Sequence, residues 1–329
     1  VMPVPRRRLP DPRTLGLAAA FVLAVAALLA PRLPTRGTAW HLLAIVDVTG
    51  SMNVRDYSRD GRPVSRLDTV KRTLRDMASR LPCGSRLGLG IFTERRSFLL
   101  FEPVEVCADF APLDGAIAAL DWRMAWEGDS YVASGLYSAI ALAAPLGAEL
   151  LFFTDGQEAP PLPASGAPRF DGEAGAVRGL LVGVGGTTPA PIPKFDRDGR
   201  ETGFYAMTDV PQENRHGLPP AGSEVREGWH PRNAPWGANE PSGEEHLSAV
   251  RTSHLEALAA ATGLTYVPLA DAAALAAGVE SAARPHPVPG VMDSAPVPAG
   301  LALLVLCGLF TSQALAARRF RSTEKRTAP

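Results

Sequence analysis

An α/β fold, with a mostly parallel central sheet covered by helices on both faces, is what this sequence predicts, and two observations predict it. Short apolar runs bounded by turn residues alternate with segments of helical periodicity, the pattern of a sheet buried on both sides. Two of those runs, 41–47 (HLLAIVD) and 150–154 (LLFFT), lead into Asp47 and Asp155. Ligands of such sheets gather at the carboxyl ends of the strands, so the two carboxylates are expected to meet.

The elements follow in order. Residues 41–47 read as a buried strand. Residues 65–81 read as a helix, because Leu67, Val70, Leu74, Met77 and Leu81 recur at three and four. Ser65 with Asp68 resembles a capping box. Residues 87–92 and 97–101 form two strands of a hairpin. Residues 111–120 and 132–144 are helices, 150–154 and 180–184 strands. Residues 185–246 are rich in Pro, Gly and charge. They form an insertion, with a hairpin turning at Asp198-Gly199. A helix over 247–262 closes on Gly263. A short strand (265–267) and a last helix (271–283) complete the domain.

The ends predict a membrane protein. Residues 15–33 form an apolar anchor behind a basic tail (1–14), and 297–317 form a second span before a basic tail (318–329). A Pro-rich stalk, 284–296, leads into it. The first run lacks a small-x-small cleavage site at its end and is followed by Pro31, so it reads as an uncleaved anchor. Basic flanks lie outside both spans, which places both tails in the cytoplasm and the middle domain (40–283) in the periplasm, on the inner membrane. With 33 basic and 34 acidic residues and 7% aromatics, nothing favours nucleic acid. Cys83 and Cys107 are available to pair in an oxidising compartment.

The chemistry lies in three loops. Asp47, Thr49 and Ser51 follow the first strand at a spacing of two. Ser130 closes Gly128-Asp129-Ser130 before a helix, and Asp155 sits in Thr154-Asp155-Gly156. Oxygen ligands without His or Cys suit a hard divalent cation, Mg2+ or else Ca2+ or Mn2+. Without a cation, two carboxylates about 4 Å apart repel by about 4 kcal/mol at an effective dielectric of about 20. Asp129 adds a carboxylate that either shifts preference toward Ca2+ or simply charges a helix N-terminus. Trp122 and Trp126 flank this loop, as partner anchors or as core caps. Asp196, Asp198 and Gly199 echo a calcium loop but lack its closing Glu, so a hairpin turn is the reading there.

D-x-T-G-S, G-x-S and T-D-G in this order resemble the metal-ion-dependent adhesion site of von Willebrand factor A domains, over residues 40–283. The resemblance implies a Rossmann-like sheet. It implies that Thr49, Ser51 and Ser130 ligate the metal while Asp47 and Asp155 act through water, and that a partner protein supplies a carboxylate. It also implies that Cys83 and Cys107, flanking the second and third strands, share one end of a hairpin and form a disulfide. Asp56-Tyr57, Arg66-Leu67 and Pro191-Ile192-Pro193 are similar to membrane-anchored members of the aerotolerance-operon type. Residues 81–85 (LPCGS), 122–130 (WRMAWEGDS) and 154–161 (TDGQEAPP) resemble the accessory proteins encoded with bacterial methanol dehydrogenase. That likeness implies a helper in maturation of, or calcium insertion into, a periplasmic quinoprotein. The expected function is therefore a membrane-anchored, metal-dependent protein-binding module and not an enzyme. The alternatives are a general envelope scaffold of the aerotolerance type and a Mg-dependent phosphatase. The phosphatase lacks support at position 49, where Thr stands in place of a second aspartate.

Overall fold

A computed structural model describes residues 11–126, 128–162, 166–209, 244 and 246–324. Most of the insertion's second half lies outside the described residues, as do the outermost parts of both basic tails. The chain divides into two compact units, residues 38–287 and residues 1–37 with 288–329.

The larger unit is built on a six-stranded sheet: β1 (His41–Asp47), β2 (Arg86–Thr93), β3 (Arg96–Glu105), β4 (Glu149–Thr154), β5 (Gly179–Gly183) and β6 (Thr265–Pro268), in the order 6-5-4-1-2-3. β1 pairs in parallel with β2 and with β4, while β2 and β3 form the single antiparallel pair. The sheet is mostly parallel, as the alternation of apolar runs and helices predicts.

Period-two alternation makes the two cores. Leu42, Ala44 and Val46 of β1, with Leu151 and Phe153 of β4, face one side. Leu43 and Ile45, with Leu150 and Phe152, face the other. On the first side pack α1 (Arg66–Ala78), α2 (Phe110–Ala118) and α5 (Ala272–Ala282), on the second α3 (Val132–Leu146) and α4 (Thr252–Thr262). In α1 the stripe Leu67, Val70, Leu74 and Met77 is buried, the face its spacing requires.

The helix expected from residue 247 begins at Thr252 instead. Leu247 and Ser248 pair with Ala190–Pro191 as a two-stranded bridge. Ser248 is needed there, because its hydroxyl and carbonyl both take part in a buried ionic cluster. The hairpin around Asp198 forms as Pro193–Phe195 against Glu201–Phe204. Asp196 Oδ1 accepts from the amides of Asp198 and Arg200 at 2.9 and 2.8 Å, so it serves the turn.

In the smaller unit, residues Pro12–Leu28 and Pro296–Glu324 are helical. Gly16 lies against Leu309. Among the described residues, no helix is long and apolar enough to cross a membrane. The first has 17 residues, about 25 Å of helix against a hydrocarbon core of about 30 Å. The anchor expected over 15–33 ends early because Pro31 and Pro34 interrupt it, and Arg32–Ala39 is a strand. The expected stalk contains another strand, His286–Asp293, paired with that one. Pro287 and Pro289 alternate, so their missing N–H groups fall on one edge and the other edge can pair.

Candidate metal-binding site

β1 and β4 are neighbours, yet the chain leaves them in opposite directions across the sheet. The gap between their carboxyl ends is a topological switch point, the place where open α/β sheets hold ligands. Asp47 ends β1 and Asp155 follows β4. Both are fully buried, and Thr49, Ser51 and Ser130 are buried with them.

The first loop is tied to itself and to β4. Asp47 Oδ1 accepts from the Thr49 amide at 2.9 Å and from Thr49 Oγ1 at 2.7 Å. Asp47 Oδ2 accepts from Thr154 Oγ1 at 2.6 Å. Thr49 Oγ1 and Ser51 Oγ lie 3.4 Å apart. The chain turns through a short 3-10 segment, Gly50–Asn53, which brings both hydroxyls to one side. Burial, and after it the charge of Asp155, push the Asp47 carboxyl up to about 7 against the pull of the hydrogen bonds from Thr154 and Thr49.

Asp155 has a different environment. Its Oδ1 accepts from the Gln157 amide at 2.9 Å. Its Oδ2 accepts from Arg66 Nη1 at 2.7 Å and from Ser248 Oγ at 2.9 Å. The guanidinium is buried and also bonds Asp56 Oδ2 through Nη2 at 2.7 Å. Asp56 Oδ2 in turn accepts from the Gly186 amide at 2.7 Å. Burial acts against the Arg66 charge, but Asp155 and Asp56 prevail and hold its pKa above the ordinary value.

Ser130 is bound to the same loops through its backbone. Its amide donates to Ala159 O at 2.6 Å and the Ala159 amide donates back at 2.7 Å, while the Tyr131 amide donates to Glu94 O, just past β2. Its hydroxyl is buried and has no hydrogen-bond partner among the described residues. Such an atom costs about 1–3 kcal/mol if nothing satisfies it. An unsatisfied buried hydroxyl, taken with the Asp, Thr and Ser oxygens of the first loop, is a donor set that fits a hard divalent cation, which takes oxygen ligands and keeps some of its water. Thr49, Ser51 and Ser130 are the side chains that would hold such an ion, with Asp47 oriented to support it.

Glu158 charges the N-terminus of α3, with its carboxylate accepting the amides of Val132 and Ala133 at 2.9 Å each. His254 Nε2 lies 3.1 Å from the same carboxylate. Asp129 is buried, and the Tyr131 hydroxyl donates to it at 3.3 Å. The two tryptophans part company. Trp122 stacks on Phe195 with centroids 4.6 Å apart and packs against the core. Trp126 is 54% exposed and stands edge-on to Phe98. Cys83 and Cys107 are disulfide-bonded at the other end of the sheet, with Cα atoms 5.3 Å apart.

Arg66, Ser248 and Glu158 are absent from the sequence-derived site. One local clue pointed to Arg66: a cation in the first turn of a helix opposes the helix dipole, so another interaction has to hold it there. Ser248 carries no such mark.

No protein-family model matches the chain, and no curated protein matches it. Among solved structures it is similar to an aerotolerance-related membrane protein from Bacteroides fragilis, at 14% identity and a TM-score of 0.44, over 74% of this chain and 100% of that one. It is similar to BatB, a conserved hypothetical protein from Bacteroides thetaiotaomicron, at 14% identity and a TM-score of 0.46, over 74% and 98%. It also resembles the PilB minor pilin from Streptococcus sanguinis, at 13% identity and a TM-score of 0.34, over 74% of this chain and 60% of that one.

Proposed function

We propose that residues 38–287 form a divalent-cation-dependent protein-binding scaffold of the cell envelope, working as the von Willebrand factor A resemblance implies. The ion sits among Thr49, Ser51 and Ser130, and a carboxylate of the partner completes its coordination. The observation that carries this reading is the buried Ser130 hydroxyl without a hydrogen-bond partner among the described residues, on a backbone bonded to Ala159 in the loop after β4, together with the interlocked Asp47–Thr49–Ser51 loop. Mg2+ is the first choice of ion, with Ca2+ or Mn2+ as substitutes. The reading gives the site a binding role without covalent chemistry: the Thr49 hydroxyl, which donates to Asp47 Oδ1 at 2.7 Å, serves there as a ligand of the ion and not as a nucleophile. The Mg-dependent phosphatase reading is therefore set aside, and a phosphatase assay with Mg2+ checks that choice.

Attachment to the inner membrane, with the domain in the periplasm, is part of the proposal. It is supported by exposed apolar side chains on the two flanking helices, among them Phe21, Val22, Leu28, Leu303, Leu304 and Phe310, and by the basic residues outside them. A service to quinoprotein maturation, with calcium insertion into a dehydrogenase such as methanol dehydrogenase, is the narrower form of the same function. It rests on three loop runs, of which 122–130 and 154–161 border the site.

Titration calorimetry of the full chain in detergent, wild type against Asp47→Ala, tests the site. Magnesium binding in the wild type and none in the variant is expected. Equal affinity in both refutes the assignment. A magnesium-dependent pull-down from periplasm, lost in Asp47→Ala, tests the partner.

A further inference from the structure

Arg66 ligates no cation, yet it occupies the centre of the candidate site. Its guanidinium is fully buried and joins three stretches of chain, around 51–56, 155 and 248, that are far apart in sequence. Nη1 reaches Asp155 Oδ2 at 2.7 Å, Ser248 Oγ at 2.6 Å and Ser51 O at 3.5 Å. Nη2 reaches Asp56 Oδ2 at 2.7 Å and Ser248 O at 3.1 Å, and Nε reaches Asp56 Oδ2 at 3.0 Å. Gly185, with φ at +116°, passes so close that a β carbon there would come within 2.5 Å of Nε. The backbone around the group is therefore shaped to it.

A fixed positive charge is a poor neighbour for a divalent cation, since like charges repel in a buried setting. An ion-binding site that keeps one must gain something when the ion is absent. Without Arg66, Asp155 and Asp47 would be two buried carboxylates with only neutral hydrogen-bond donors between them. Such an arrangement would need the metal in order to fold.

We infer that Arg66 is the resident counter-cation of the site, a positioning residue that acts through Asp155. It neutralises Asp155, fixes one of its oxygens, and holds the 47–53, 154–158 and 185–186 loops and Ser248 in place before any metal arrives. The divalent ion then enters a preformed pocket, and metal release leaves the domain folded. This inference rests on the metal reading above.

Thermal melts of the full chain in EDTA and in saturating magnesium, with magnesium calorimetry alongside, test it. The variants are Arg66→Met, Arg66→Lys and the double variant Arg66→Met/Asp56→Asn. The wild type should melt cooperatively in EDTA, with a modest upward shift on adding magnesium. Arg66→Met should lose its folded state in EDTA and regain it with magnesium, or show a magnesium shift well above the wild type's. Arg66→Lys should recover part of the EDTA stability. The double variant removes the Asp56 carboxylate but leaves Asp155 and Asp47 without a counter-charge, so it should still need magnesium to fold, or show a magnesium shift above the wild type's, and should bind magnesium about tenfold more tightly, its like charge being gone. A residue with only a structural role would lower the melting temperature equally in EDTA and in magnesium and leave the double variant's affinity unchanged, and that result overturns the inference. A wild type that answers magnesium neither by heat nor by melting shift instead overturns the metal reading itself.

Discussion

Asp47 and Asp155 end neighbouring strands, are equally buried, and stand within electrostatic reach of one another, but the fold treats them differently. Asp47 is held by neutral donors, two hydroxyls and an amide. Asp155 is held by a buried guanidinium, a hydroxyl and an amide. One carboxylate keeps uncompensated charge and the other does not. On the proposed metal reading, the difference would let a cation site stay folded without its cation: half of the negative charge is neutralised permanently, and the other half is left for the ion.

The widest test of that asymmetry is removal of its source. Arg66→Met should destabilise the metal-free domain by about 3–5 kcal/mol, the usual cost of leaving a buried charge without its partner, as read by urea unfolding in EDTA. Asp155→Ala breaks the same pair from the other side, but Asp56 remains bonded to the guanidinium, so the loss should be smaller, about 2–3 kcal/mol. Asp47→Asn should behave in the opposite way. It removes buried charge that nothing neutralises, so EDTA stability should hold or rise while magnesium binding disappears. If Asp47→Asn proved as damaging as Arg66→Met, the two carboxylates would be equivalent and the comparison would fail.

A pH series sharpens the same point. The folded Asp47 carboxyl lies at about 7 against an ordinary value of 3.8. Between those values the folded chain holds a proton that the unfolded chain has released. Metal-free stability should therefore fall as pH rises from about 4 to about 7. The slope should vanish in Asp47→Asn and flatten in saturating magnesium. A wild-type curve that rises through this window would mean the carboxylate is compensated after all. The smallest effect belongs to Ser130→Ala. Its hydroxyl has no partner among the described residues, so EDTA stability should not fall when it is removed, while magnesium affinity drops. A large stability loss would show that the hydroxyl is bonded within the protein.

Local pattern made much of this architecture legible. The stripe in α1, the apolar runs of β1 and β4, and the Ser65 cap, whose hydroxyl accepts the Asp68 amide at 3.0 Å, follow from nearest-neighbour chemistry. The helix expected from residue 247 failed because the demand on Ser248 comes from Arg66, 182 positions away, and no local window contains both. The stretch expected as a stalk holds a paired strand for a similar reason: prolines read as stiffness in isolation, but their alternation also permits pairing with a distant strand. The carboxylate that accepts the first amides of α3, Glu158, stands 26 positions from Val132, beyond any local reading of the helix start. The apolar end segments read as full spans, whereas among the described residues neither helix is long and apolar enough to cross a membrane.

By itself the sequence determined the kind of sheet and the oxygen donors at its carboxyl edge, because strand periodicity and short-range motif spacing are properties of contiguous residues. Which of those donors carry open charge was decided only by tertiary structure. Burial and the placement of Arg66 between Asp155, Asp56 and Ser248 set the electrostatics, and those contacts join segments that meet only when the chain is folded.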